Sequence, residues 1–87
     1  MIPPPRDPIA RALFDALDRE IEKRPDRNYP GWVEAERVAM QQEASRLAGC
    51  EVPMERVEEA EQSACGHFDY MLKFSYRLAE IVRELKG

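Results

Sequence analysis

Three side chains in this sequence are soft metal ligands: Cys50, Cys65 and His67. Zinc sites draw their ligands from closely paired Cys or His residues and take a full tetrahedral set. Here the order is Cys-x14-Cys-x-His, and there is no fourth soft ligand. The three read instead as two buried or half-buried thiols and one helical histidine, with no metal site. Nucleophilic catalysis needs a Cys or Ser beside a base that a third group orients. The chain has one histidine. Cys65 and His67 stand two apart, and on a helix such residues do not face each other. The sequence therefore offers no catalytic constellation, and neither a glycine-rich phosphate loop nor a cofactor motif.

Carboxylates are the other chemistry at hand. The net charge is −4, and residues 1–49, 50–67 and 68–87 contribute −1, −4 and +1. One stretch thus carries the excess: Glu51, Glu55, Glu58, Glu59 and Glu61 against Arg56. On an exposed helical turn such groups are usually solvated and complement the helix dipole. The functional alternative is an acidic ridge that docks the basic surface of a protein partner. A basic stripe of the kind that displaces counterions from nucleic acid is absent, so direct nucleic-acid binding is not expected. Tyr29 and Trp32 flank Pro30-Gly31 and serve either as a packing anchor or as a contact surface. Tyr76 falls on the polar side of its helix and is a candidate exposed contact.

The elements that must position these groups are helices. Asp7-Pro8 is a good start, with Asp7 as cap and Pro8 at the first helical position. At about 100° per residue, Ala10, Leu13, Phe14, Leu17 and Ile21 share one arc and charged residues lie opposite. This predicts a helix over about 8–24, after an extended or disordered tail at 1–6. Residues 25–31 are a loop by composition. A second helix is expected over about 32–48, with a narrow stripe of Val33, Met40, Ala44 and Leu47, ended by Gly49.

Beyond Pro53, the positions Met54, Val57, Ala64, Phe68, Met71, Ser75, Leu78, Val82 and Leu85 follow alternating three- and four-residue steps. Glu61 occupies one slot where an apolar residue belongs. The phase holds across Gly66-His67, which predicts one long helix over 53–86, with room for a kink at Gly66. The expectation is an all-α fold: a single domain, residues 1–87, built as a small bundle of three helices. Such a long helix would measure about 50 Å, against a diameter of about 30 Å for a globule of this size. Either the first two helices line its halves in turn, or a second copy packs along it. The seam Phe68, Met71, Leu72, Leu78, Val82 and Leu85 favours a homodimer, and a chain of 87 residues gains from self-association. No apolar run is long enough to span a bilayer, and the N-terminus lacks a signal-peptide core. A cytoplasmic location with reduced thiols follows as the expectation.

The run Ser63-Ala64-Cys65-Gly66-His67-Phe68-Asp69-Tyr70, continuing through Lys73-Phe74 to Ala79-Glu80, resembles the C-terminal portion of short accessory proteins encoded by proteobacterial temperate phages and prophages. The resemblance covers about a third of the chain. Its motif has no assigned chemistry, so it transfers no functional residue. It implies a genomic setting in which small acidic proteins bind and inhibit a host protein, including components of defence systems. The reading that follows is a non-enzymatic interaction module acting by surface occlusion. The alternatives are a structural or assembly component of a larger complex, and an acidic mimic of nucleic acid.

Overall fold

In a computed structural model, residues 3–23 and 31–87 are described, Trp32 by its backbone only. The tripeptide Pro3–Pro5 is not helical, and Pro5 is already buried. Helix α1 then runs Pro8–Lys23. Its start is the one the sequence announces: the Ala10 N–H donates to Asp7 Oδ2 at 2.9 Å. Ala10, Leu13, Phe14 and Leu17 are buried, Ala16 joins them, and Ile21 is half-buried. Arg24 and the expected loop through Pro30 lie outside the described residues, so the end of α1 is seen only to Lys23.

Helix α2, Trp32–Ala48, matches the expected bounds. It ends at Gly49, whose φ of 75° is left-handed and whose N–H donates to the Ser45 carbonyl at 3.0 Å. Glycine carries no penalty in that conformation. The chain then turns through residues 50–53, held by side chains of α2. The Val52 N–H donates to Ser45 Oγ at 2.9 Å, and Gln41 Nε2 donates to the Val52 carbonyl at 2.9 Å. Val52 itself is fully buried. This clip sets the entry of the next helix.

The long third helix is not formed. Helix α3 spans Met54–Ala64 and helix α4 spans Tyr70–Lys86. Between them Cys65 is extended (φ −61°, ψ 132°) and Gly66 adopts φ +85°. Among the described residues the bundle therefore has four helices. Their ends pair in antiparallel fashion: Arg56, near the start of α3, meets Glu84, near the end of α4, at 2.6 Å. Arg77 and Glu59 meet midway at 3.4 Å. Asp7, at the start of α1, meets Arg83, near the end of α4.

The shared phase that suggested one helix has another cause. Both stripes point at the same core, once from each arm of a hairpin. Folding back also removes the conflict of length, since the molecule measures 38 × 26 × 21 Å with a radius of gyration of 12.0 Å. Helices α2 and α4 each pack against the other three, whereas α1 and α3 do not meet. The apolar arc of α4 serves all three neighbours. Phe74, Leu78, Ile81 and Val82 are fully buried there, against Met40 and Ala44 of α2 and Val57 and Ala60 of α3. Among the described residues, no helix is long and apolar enough to cross a membrane.

Candidate functional site

The acidic ridge is largely engaged within the bundle. Glu61, the residue out of place in the apolar pattern, is only 7% exposed. It accepts from Arg37 of α2, with Nε at 2.8 Å and the terminal nitrogen at 2.6 Å. The same guanidinium stands 3.7 Å from Glu58. This hydrogen bond with Glu61 raises the Arg37 pKa above its ordinary value, against the opposing effect of burial. A carboxylate placed on the inner face of α3 is thus matched by a cation placed on the inner face of α2. Such a pair satisfies two groups that would each be costly to bury alone. Glu59 bridges Arg56 at 3.2 Å and Arg77 at 3.4 Å. Of the five carboxylates in the ridge, Glu51 and Glu55 are exposed and make no ion pair among the described residues.

The thiols are not where the sequence suggested. Cys50 and Cys65 are both exposed. Each follows the end of a helix, where the chain has already left the core-facing spiral. His67 is exposed in the α3–α4 linker and is not helical. Among the described residues, no group of three or more His, Cys, Asp or Glu is placed to hold a metal ion.

The predicted seam divides. Leu78 and Val82 are fully buried in the chain's own core, and Met71 and Leu72 are half-buried. Leu85 is 41% exposed near the C-terminus, and Phe68 is 94% exposed. Phe68 leaves the seam because the linker, not a helix turn, carries it. Tyr76, expected as an exposed contact, is 45% exposed. Tyr29 lies outside the described residues, and the side chain of Trp32 is likewise not described.

What the fold brings together is therefore a corner that spacing alone did not single out. The α3–α4 linker presents Phe68, and the first turns of α4 present Leu72 and Tyr76, one helical turn apart on one face. An open groove of about 440 Å³ runs here, lined by Ser63 of α3 and by Asp69, Leu72, Lys73, Tyr76 and Glu80. The aromatic neighbours on the inner side are fixed: Tyr70 and Phe74 pack edge to face with centroids 5.7 Å apart. Ser75 is buried and donates to the Met71 carbonyl at 2.7 Å, so its hydroxyl imposes no unmet polar demand on the core.

Two charges of this corner, Asp69 and Lys73, are unmatched among the described residues. Asp69 and Lys73 have the spacing of a favourable helical pair, yet form none. Asp69 stands just outside α4, at φ −99° and ψ 39°, and makes no capping hydrogen bond from its side chain. Its Oδ1 is buried and accepts no hydrogen bond among the described residues. Lys73 is exposed and has no ion-pair partner among them. The signal that could have found this corner was Gly66. Once it is read as a chain reversal, Phe68 falls on a loop tip.

Compared with known protein families, curated proteins and solved structures, the chain matches none.

Proposed function

We propose that this chain is a non-enzymatic protein-interaction module, an accessory protein that acts by covering a surface of a host protein. The observation that carries the reading is Phe68, the most exposed of the large apolar side chains described, followed on the first turns of α4 by half-buried Leu72 and exposed Tyr76. A phenylalanine 94% exposed has no packing role in its own chain. Aromatic side chains in such settings are the usual anchors of interfaces. The phage setting implied by the Ser63–Glu80 resemblance supplies the class of partner.

The mimicry reading draws less support. Glu58, Glu59 and Glu61 are committed to Arg37, Arg56 and Arg77, so few carboxylates of the ridge are free to stand in for phosphates.

The test is affinity capture of the tagged chain from its native host, run beside Phe68→Ala and Tyr76→Ala. A stoichiometric host protein should copurify with the wild type. Phe68→Ala should reduce it by about tenfold or more, the loss typical of an aromatic anchor. Equal recovery with both variants would remove this corner as the docking surface. Loss on reversing Glu51 and Glu55 to Lys instead would return the role to the acidic ridge.

A further inference from the structure

Helices α1 and α3 hold the same place in the topology. Each lies against α2 and α4, and the two do not meet. What holds each of them differs. Helix α1 brings Leu13, Phe14 and Leu17 into the core and begins on the Asp7 cap. Its tie by charge to another helix, among the described residues, is the pair of Asp7 with Arg83. Helix α3 brings Val57, Ala60 and Ala64. Alanine lets two backbones lie close, but it takes little apolar area out of water. The first turn of α3 follows Pro53 and has no side-chain cap. At 11 residues, α3 is also shorter than the about 12–15 at which a helix begins to hold by itself in water.

Charge supplies what apolar area does not. Glu58 and Glu61 share Arg37 of α2, and Glu59 meets Arg77 of α4. In return Arg56 reaches Glu84 of α4. Of these carboxylates Glu61 is buried, whereas the side chains of Glu58, Glu59 and Glu84 stay 42%, 46% and 62% exposed. Pairs so open to water are weak, and salt screens them. The two ends of α3 differ too. Upstream, Val52 is buried and clipped to α2 by Gln41 and Ser45. Downstream, residues 65–68 are all exposed, so that linker has no packing to lose when α3 moves.

From this we infer that α3 is a salt-sensitive strap. Hinged at Pro53, it detaches from the cleft between α2 and α4, while α1, α2 and α4, which meet one another pairwise, stay packed. The opening is sub-global and lies below the cooperative transition of the whole chain. It uncovers the side of the core that α2 and α4 share. It does not depend on the docking role of the Phe68 corner.

The test is native-state hydrogen exchange of the full-length chain, followed amide by amide by NMR. It is run in about 0.01 M and about 1 M sodium chloride, between which the Debye length falls from about 30 Å to about 3 Å. In low salt, the α3 amides should exchange about tenfold or more faster than those in the middle of α1, α2 and α4. High salt should speed α3 by about a further fivefold and leave the other three helices unchanged. Arg77→Met removes one tie to α4, so it should speed α3 in low salt and shrink its response to salt. Asp7→Asn removes the tie of α1 instead and should leave α3 exchange as in wild type. Exchange of α3 in step with the other helices at both salt concentrations overturns the strap. A fast α3 that is indifferent to salt and to Arg77→Met overturns it as well, because charge would then not be what holds the helix.

Discussion

Single residues decide how this chain's charges are used, and Asp7 shows it most directly. Its Oδ2 accepts from the Ala10 N–H, and its other oxygen meets Arg83 on α4. The hydrogen bond from Arg83, then that from the backbone, lowers the Asp7 carboxyl below its ordinary 3.8. A carboxyl whose folded pKa is depressed adds stability above the unfolded value and loses it as pH falls through the folded one. The contribution of Asp7 should thus be complete above about pH 3.8 and fade below it. Asp7→Asn keeps a capping side chain but removes the charge. In urea titrations, wild type should be the more stable at pH 7, and the gap should close as pH drops below 3.8. A gap that is constant down to pH 2 would show that the charge contributes nothing and the cap alone matters. Asp7 and Pro8 were legible in the sequence because capping is a local rule. Glu61 was visible only as an exception to the apolar pattern. Its explanation, Arg37, lies 24 residues away on another helix, and no local spacing reports a pairing of that kind.

Among the elements, the hairpin of α3 and α4 is the decisive one. Three features of the linker act together: an extended Cys65, a left-handed Gly66 and an Asp69 just outside the next helix. At Gly66 nothing lies within 4 Å of where a Cβ would stand, so the demand is on backbone angle and not on space. An L-residue pays about 1–2 kcal/mol in that region. Gly66→Ala should therefore lower stability by about 1 kcal/mol, shifting the melting temperature down by about 4–8 °C in a domain of this size. A melting temperature equal to or above that of wild type would mean the linker does not hold this angle in solution. The helices themselves were largely readable: α1 from its cap and arc, α2 from its stripe and Gly49. The division of the third was not, because a stripe that faces one core keeps its phase whether or not the chain reverses. Only the mismatch between a helix of about 50 Å and a globule of about 30 Å hinted at it. The contact corner was hidden for the same reason. Phe68 continues the apolar phase in sequence, and it becomes a surface residue only once the chain turns.

Seen as one molecule, the bundle is tied through α2 and α4. Each packs on all three of the other helices, and α1 and α3 reach each other only through them. Neither sequential hairpin owns a core. Met40 and Ala44 of α2 and Phe74, Leu78 and Val82 of α4 belong to one fully buried cluster to which all four helices contribute. Unfolding should accordingly be a single event. The one tryptophan, Trp32, stands at the start of α2 and reports on that helix, while far-UV circular dichroism reports on all four. In urea, the two signals should give coincident transitions. Among the described residues Phe74 is the largest fully buried side chain, set in the second turn of α4. Its replacement by alanine should cost about 3–5 kcal/mol, comparable to the whole stability of many domains of this size. Phe74→Ala should therefore lose the tryptophan signature of α2 together with its helicity, even though the substitution lies on another helix. If that variant loses the helicity of α4 while tryptophan fluorescence stays native, the two hairpins fold as separate units. The coupling of α2 to α4 through the core would then be a contact without cooperative consequence. The ion pairs around the bundle do not alter this expectation. Most lie at the surface, where each is worth well under about 1 kcal/mol. The apolar layer shared by α2 and α4 is what makes the four helices one folding unit.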